Sequence, residues 1–134
     1  MNFVFDSGAL LAVLNSEPGA SVVLSLLNDT RNTRIIHAIN AVEVFYHLSR
    51  TNDVLSARNA LNSFFARGLI EDTTLDAAFR EDMAQLKADW RRISLADCAG
   101  VALARRLSGT FVTSDHHELD VLDAARVAAF RFFR

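Results

Sequence analysis

Apolar and polar residues follow one another along this chain in two rhythms, and the switches between them mark the predicted elements. Phe3-Val4-Phe5 is a short, continuously apolar run, the pattern of a strand buried on both faces, and Asp6 ends it. Gly8 to Leu14 has helical propensity and stops near Asn15, with Glu17-Pro18-Gly19 as a break. A second apolar helix is predicted from Ala20 to Leu27. Arg34-Ile35-Ile36-His37 reads as the second strand. Asn40-Ala41-Val42-Glu43 then reads as a helix start, with Asn40 as N-cap and Glu43 in the first turn. Asp53 caps a further helix whose apolar positions are Leu55, Leu61, Phe64 and Phe65, and Gly68 closes it. Leu69-Ile70-Glu71 is a weak third strand. Leu75, Phe79, Met83, Leu86 and Trp90 step by threes and fours, which predicts the buried side of an amphipathic helix from Thr74 to Trp90.

The segment from Ser94 to Asp115 organises the rest. Ser94 caps an Ala-rich helix, Ser108-Gly109 turns it, and Thr110-Phe111-Val112-Thr113 rises as a strand. Ser114 to Leu122 is a turn and short helix, and Val127 to Phe132 is a last strand. Strands alternating with helices predict a three-layer α/β/α sandwich around a central, mainly parallel sheet of about five strands.

Composition narrows the class. With 134 residues, the chain has room for one domain, expected to span residues 1–134. A hydrophobic share of 51% against 22% charged excludes a disordered chain. The net charge of −2 gives no global attraction to nucleic acid, so such a partner needs local Arg clusters or metal ions. Cys98 is alone, which excludes an intrachain disulfide and a Cys-based zinc site. No basic leader or bilayer-length apolar run is present in the sequence, and a cytoplasmic location is expected.

Four acids carry the candidate chemistry. Asp6 ends the first strand, Glu43 opens the helix after the second, Asp97 opens its own helix, and Asp115 follows the next strand. In a parallel sheet all four gather at the C-terminal edge, where open α/β folds place their ligands. Carboxylates crowded there repel one another and favour hard divalent ions such as Mg²⁺ or Mn²⁺. Such a pocket suits hydrolysis of a nucleic-acid backbone. Taken singly, Glu43 and Asp97 are explained by helix capping with Asn40 and Ser94. Asp6 and Asp115 are harder to dismiss, because a charge at the end of an apolar strand is costly unless it is used.

Asp6-Ser7 after an apolar strand, the Ala-Val-Glu43 segment, Ser94-Leu95-Ala96-Asp97 and Thr113-Ser114-Asp115 together resemble the PIN-domain ribonucleases. Among these the chain is similar to VapC-type toxins of toxin–antitoxin pairs. The resemblance implies that Asp6, Glu43, Asp97 and Asp115 are metal-binding catalytic acids, with Ser7 and Ser114 supporting water or metal ligands. It further implies Mg²⁺ or Mn²⁺ dependence, endonucleolytic cleavage of RNA, a homodimer and a cognate antitoxin. The alternative is a non-catalytic PIN-like module that binds protein or RNA through the same surface. A phosphoryl-transfer or receiver-like domain fits poorly, since Asp6 has no acidic neighbour and the only Lys, Lys87, lies on a helix.

Weaker signals remain. Glu43 and His47 stand one helical turn apart, a spacing open to a metal pair. His116-His117 lie beside Asp115, and Asp120 is either a peripheral ligand or a solvated helix position. Arg91-Arg92 and Arg105-Arg106 read as solvated faces, and Trp90 as core or interface. The segments Leu10 to Leu14 and Val22 to Leu27 are either well-packed core or an antitoxin groove.

Overall fold

Alternate strand residues send their side chains to opposite faces, and this sheet buries both. A computed structural model describes residues 1–134. The strands are β1 (Asn2–Phe5), β2 (Thr33–His37), β3 (Ile70–Asp72), β4 (Thr110–Thr113) and β5 (Ala129–Phe132). They form one sheet in the order β3-β2-β1-β4-β5, and every pairing is parallel. Phe3 and Phe5 of β1, Ile36 of β2 and Val112 of β4 face one core. Val4, Ile35 and Phe111, one residue out of step with them, face the other.

Four helices cover the first face: α1 (Ser7–Leu14), α2 (Ala20–Asn28), α3 (Ala38–Thr51) and α4 (Val54–Ala66). Three cover the second: α5 (Ala77–Asp89), α6 (Leu95–Arg106) and α7 (His116–Ala124). The expected three-layer sandwich is borne out, and the sheet is wholly rather than mainly parallel. No helix is long and apolar enough to cross a membrane.

Several local expectations change. Helix α3 begins at Ala38, not at Asn40, because the His37 ring caps it: Nδ1 accepts from the Ile39 N–H at 3.1 Å. The other ring nitrogen lies 2.8 Å from the Thr74 carbonyl, so it carries the proton. Glu43 consequently sits beyond the first turn of α3. Helix α5 starts after Leu75, which is exposed, because Asp76 takes the cap by accepting from the Phe79 N–H at 2.9 Å. Leu55 is also exposed, since the Asp53 cap places it on the outer side of the first turn of α4.

Helices α1 and α2 spend much of their apolar surface inside: Leu10, Ala12, Val23 and Leu27 are buried. Leu11, Val13, Val22 and Leu26 are partly buried against the same core, and Leu14 is exposed. Helix α6 is the inner helix of the second face, buried from Cys98 through Ala104. Its contact with the sheet is close at Gly100, where an added Cβ would lie 2.2 Å from Phe111 Cε1.

Candidate functional site

Strand order sets a topological switch point between β1 and β4. From β1 the chain steps outward to β2 and β3, then returns to β4 on the other side of β1. The helices leaving β1 and β4 therefore depart to opposite faces, the arrangement that opens a ligand site at the C-terminal edge. Asp6 follows β1 and Asp115 follows β4, so each flanks that opening.

Helix starts fix both acids. Asp6 Oδ1 caps α1 by accepting from the Ala9 N–H at 2.7 Å. Asp115 Oδ1 caps α7 by accepting from the Glu118 N–H at 3.1 Å. Thr113 ties the two together: its buried hydroxyl bonds to the Asp6 carboxyl, and its oxygen accepts from the Asp115 N–H at 3.1 Å.

The other two acids come from opposite faces of the sheet. Glu43 on α3 accepts from the Ser7 hydroxyl at 2.6 Å. Asp97 lies in the first turn of α6, where its N–H donates to the Ser94 cap at 3.0 Å. Asn40 joins these two helices; its buried amide donates to the Ala96 carbonyl at 3.2 Å. Thus the Asn40 expected as a cap is instead a clamp between the elements that carry Glu43 and Asp97.

The four carboxyls share one electrostatic neighbourhood. Asp6 is only 6% exposed. Burial raises its pKa from 3.8 to about 6, aided by Glu43 and Asp115 and opposed by the bonds from Thr113 and Ala9. Burial likewise raises Asp97 to about 7, with Asp6, Asp115 and Glu43 adding repulsion. Two acids held near neutrality by desolvation and like charge form an oxygen-only donor set that a cation would relieve.

No three His, Cys, Asp or Glu side chains converge into a ready-made metal cage. Mg²⁺ keeps several waters and takes one or two carboxylates directly. Asp6, Glu43, Asp97 and Asp115 are the residues that could hold such an ion.

The remaining sequence-level candidates separate clearly. Ser7 reaches the cluster through Glu43, whereas Ser114 is engaged through its backbone, its carbonyl accepting from His116 at 3.0 Å. His116 is tied outward, 2.8 Å from Asp120, 2.7 Å from the Arg134 carbonyl, and stacked on Phe132. Its bonds to Asp120 and Arg134 raise its pKa. Asp120 is thereby accounted for as a surface partner. His47 is exposed and stacks on Tyr46, while Glu43 turns to Ser7. Sequence reasoning missed Thr113 and misread Asn40. The usable signal was a polar residue closing an apolar strand, and an amide one turn before Glu43.

The family model described as the PIN domain matches residues 3–125. This chain belongs to the PIN-domain family. A comparison with curated proteins gives no match. Among solved structures, the PIN domain here resembles VapBC2 from Rickettsia felis bound to a promoter DNA fragment. The TM-score is 0.73 at 18% identity, covering 98% of each chain. It also resembles VapBC-1 from nontypeable Haemophilus influenzae, with TM-score 0.72 and 14% identity over 99% of this chain and 98% of that one. DNA-bound VapBC from Salmonella typhimurium gives TM-score 0.71 and 16% identity over 100% and 99%. At these identities the likeness is one of fold.

Proposed function

We propose that this PIN domain is a metal-dependent endoribonuclease and the toxin of a VapC-type toxin–antitoxin pair. One observation carries the proposal: four carboxyls from separate elements gather at the sheet's switch point, where burial first and their mutual repulsion second raise Asp6 to about 6 and Asp97 to about 7. Family membership supports the nuclease reading, and the three toxin–antitoxin neighbours support the toxin reading.

Asp6, Glu43, Asp97 and Asp115 would hold Mg²⁺ or Mn²⁺. When bound, such an ion supplies positive charge to a phosphodiester oxygen and lowers the pKa of a water. The protein's own part is positioning. Ala9 and Thr113 orient Asp6, Ser7 orients Glu43, and the Asn40–Ala96 bond keeps Glu43 and Asp97 in register. The partners in this reading are single-stranded RNA, a cognate antitoxin and a second copy of the chain. Exposed Val42 and Tyr46 on α3, with Val54 and Leu55 on α4, offer apolar surface for protein partners.

Incubating the purified protein with RNA tests the proposal. Cleavage in Mn²⁺ or Mg²⁺ that stops in excess EDTA is the expected result, and full activity in EDTA would overturn it. A second reading is a non-catalytic module that binds protein or RNA through the same surface. A Mn²⁺ titration of the metal-free protein separates the two, since a binding module would show no saturable site.

A further inference from the structure

A cavity of about 500 Å³ opens between the turn before α6 and the first turns of α7. Its volume falls within the range of small-molecule sites, roughly 300–1,000 Å³. Trp90, Arg91 and Arg92 line one side, and His117, Glu118 and Val121 line the other. None of the four acids lines the cavity, but both walls lead to them. Ser94 and Asp97 follow directly from the Trp90 side, and the Glu118 N–H is bonded to the Asp115 carboxyl at 3.1 Å.

The walls are held in place. Lys87, the only lysine, donates from Nζ to the Arg91 carbonyl at 2.9 Å and the Ile93 carbonyl at 2.6 Å. The Ile93 N–H closes the turn on the Trp90 carbonyl at 3.1 Å. Arg91 and Arg92 are exposed and make no salt bridge, so their guanidinium groups are free to meet phosphate. On the opposite wall, Glu118 Oε1 lies 3.6 Å from His117 Nε2, while Oε2 is buried without a hydrogen-bond partner. A buried acceptor left unpaired is costly, and the last torsion of a glutamate is soft enough for a donor in the cavity to draw that oxygen round.

An indole, two unpaired guanidinium groups and a carboxylate with one oxygen unpaired form a complementary set. The indole offers a stacking surface for a base and the arginines meet its phosphates. Guanine is the base whose Watson–Crick edge presents two adjacent donors, N1–H and the 2-amino group, which match the two oxygens of a carboxylate. We propose that this cavity receives an unpaired guanine of the RNA, stacked on Trp90 and read by Glu118, beside the bond cleaved at the acid cluster. The inference rests on the nuclease reading for its biological meaning, but the site itself is testable without cleavage.

Trp90 is the only tryptophan, and it lines both this cavity and a neighbouring one that holds Arg105 and Arg126, so quenching is assigned to this cavity by its dependence on Glu118, Arg91 and Arg92. The experiment titrates the intact protein in EDTA with guanosine, adenosine, cytidine and uridine 5′-monophosphates. Saturable quenching by the guanosine nucleotide is expected, with affinity at least about tenfold above the others, the scale of hydrogen bonds to a charged group. Glu118→Gln should erase that preference. The double variant Arg91→Ala/Arg92→Ala, at exposed positions without ion-pair partners, should weaken all four nucleotides alike. Absence of saturable quenching, equal affinity for all bases, or a preference that survives Glu118→Gln would each overturn the proposal. Guanine binding in a protein without metal-dependent cleavage would leave this site standing and remove the nuclease reading. Cleavage without guanine preference would do the reverse.

Discussion

At the scale of single residues, the site depends on groups that hold the acids as much as on the acids. Ser7 donates to Glu43 at 2.6 Å, and loss of a partner that orients a metal ligand typically costs 10- to 100-fold in metal affinity or activity. Ser7→Ala should therefore reduce RNA cleavage by about 10- to 100-fold at limiting Mn²⁺ with the fold intact. Unchanged cleavage and Mn²⁺ affinity would show that Glu43 needs no such support. Burial and mutual repulsion also set a pH dependence. Asp6 and Asp97 titrate near 3.8 when unfolded and at about 6 and about 7 when folded. Between those limits the folded state binds more protons, so the metal-free protein should lose stability as pH rises from about 4 to about 7. Thermal melts in EDTA should show a lower Tm at pH 8 than at pH 5, with Asp97→Asn reducing the difference and Mn²⁺ restoring Tm at pH 8. A Tm that climbs over that interval would contradict the assigned repulsion. The placement of Asp6, Asp97 and Asp115 was legible from the sequence because each stands beside a strand end or helix start, whereas Glu43 lies beyond the first turn of α3. Thr113 and Asn40 were not legible, because their roles depend on partners far along the chain, such as Ala96 for Asn40.

At the scale of elements, the pairing of α6 with β4 decides whether Asp97 and Asp115 meet. Gly100 sits against Phe111, and a Cβ there would fall 2.2 Å from Cε1 and 2.6 Å from Cζ. Both residues are buried, so neither can yield without moving the helix from the sheet. Gly100→Ala should destabilise the protein by about 1–3 kcal/mol, the usual cost of overpacking, and weaken Mn²⁺ binding by shifting Asp97. Denaturant unfolding and a Mn²⁺ titration of the variant check the two effects, and wild-type values in both would contradict the close-packing argument. The sequence pattern located this unit well, since Ser94 caps α6 as expected and Thr110 to Thr113 is the strand. It was weaker where a cap is unconventional. The ring of His37 starts α3 two residues before Asn40, which moved Glu43 out of the first turn. Periodicity also overran α5, because Leu75 keeps the helical step but lies outside the Asp76 cap.

At the scale of the whole molecule, strand order does what no local motif can. The sequence predicts five strands and their parallel sense. The order β3-β2-β1-β4-β5 follows only from long-range pairing, and it makes β1 and β4 neighbours. That pairing brings the Asp6 and Asp115 ends together and lets α3 and α6 approach from opposite faces, joined by Asn40 and Ala96. The balance of charge is likewise a property of the whole, since a net charge of −2 means that RNA, in the proposed function, is to be met by local features such as Arg91 and Arg92. The central claim is that the four carboxyls act as one cation-dependent hydrolytic centre. Its most direct test is RNA cleavage in Mn²⁺ by the wild type and by Asp6→Asn, Glu43→Gln, Asp97→Asn and Asp115→Asn, with circular dichroism confirming each fold. Cleavage by the wild type that is abolished in the folded Asp97→Asn protein and strongly reduced in the other three is the predicted result. Wild-type cleavage by folded Asp97→Asn would contradict it.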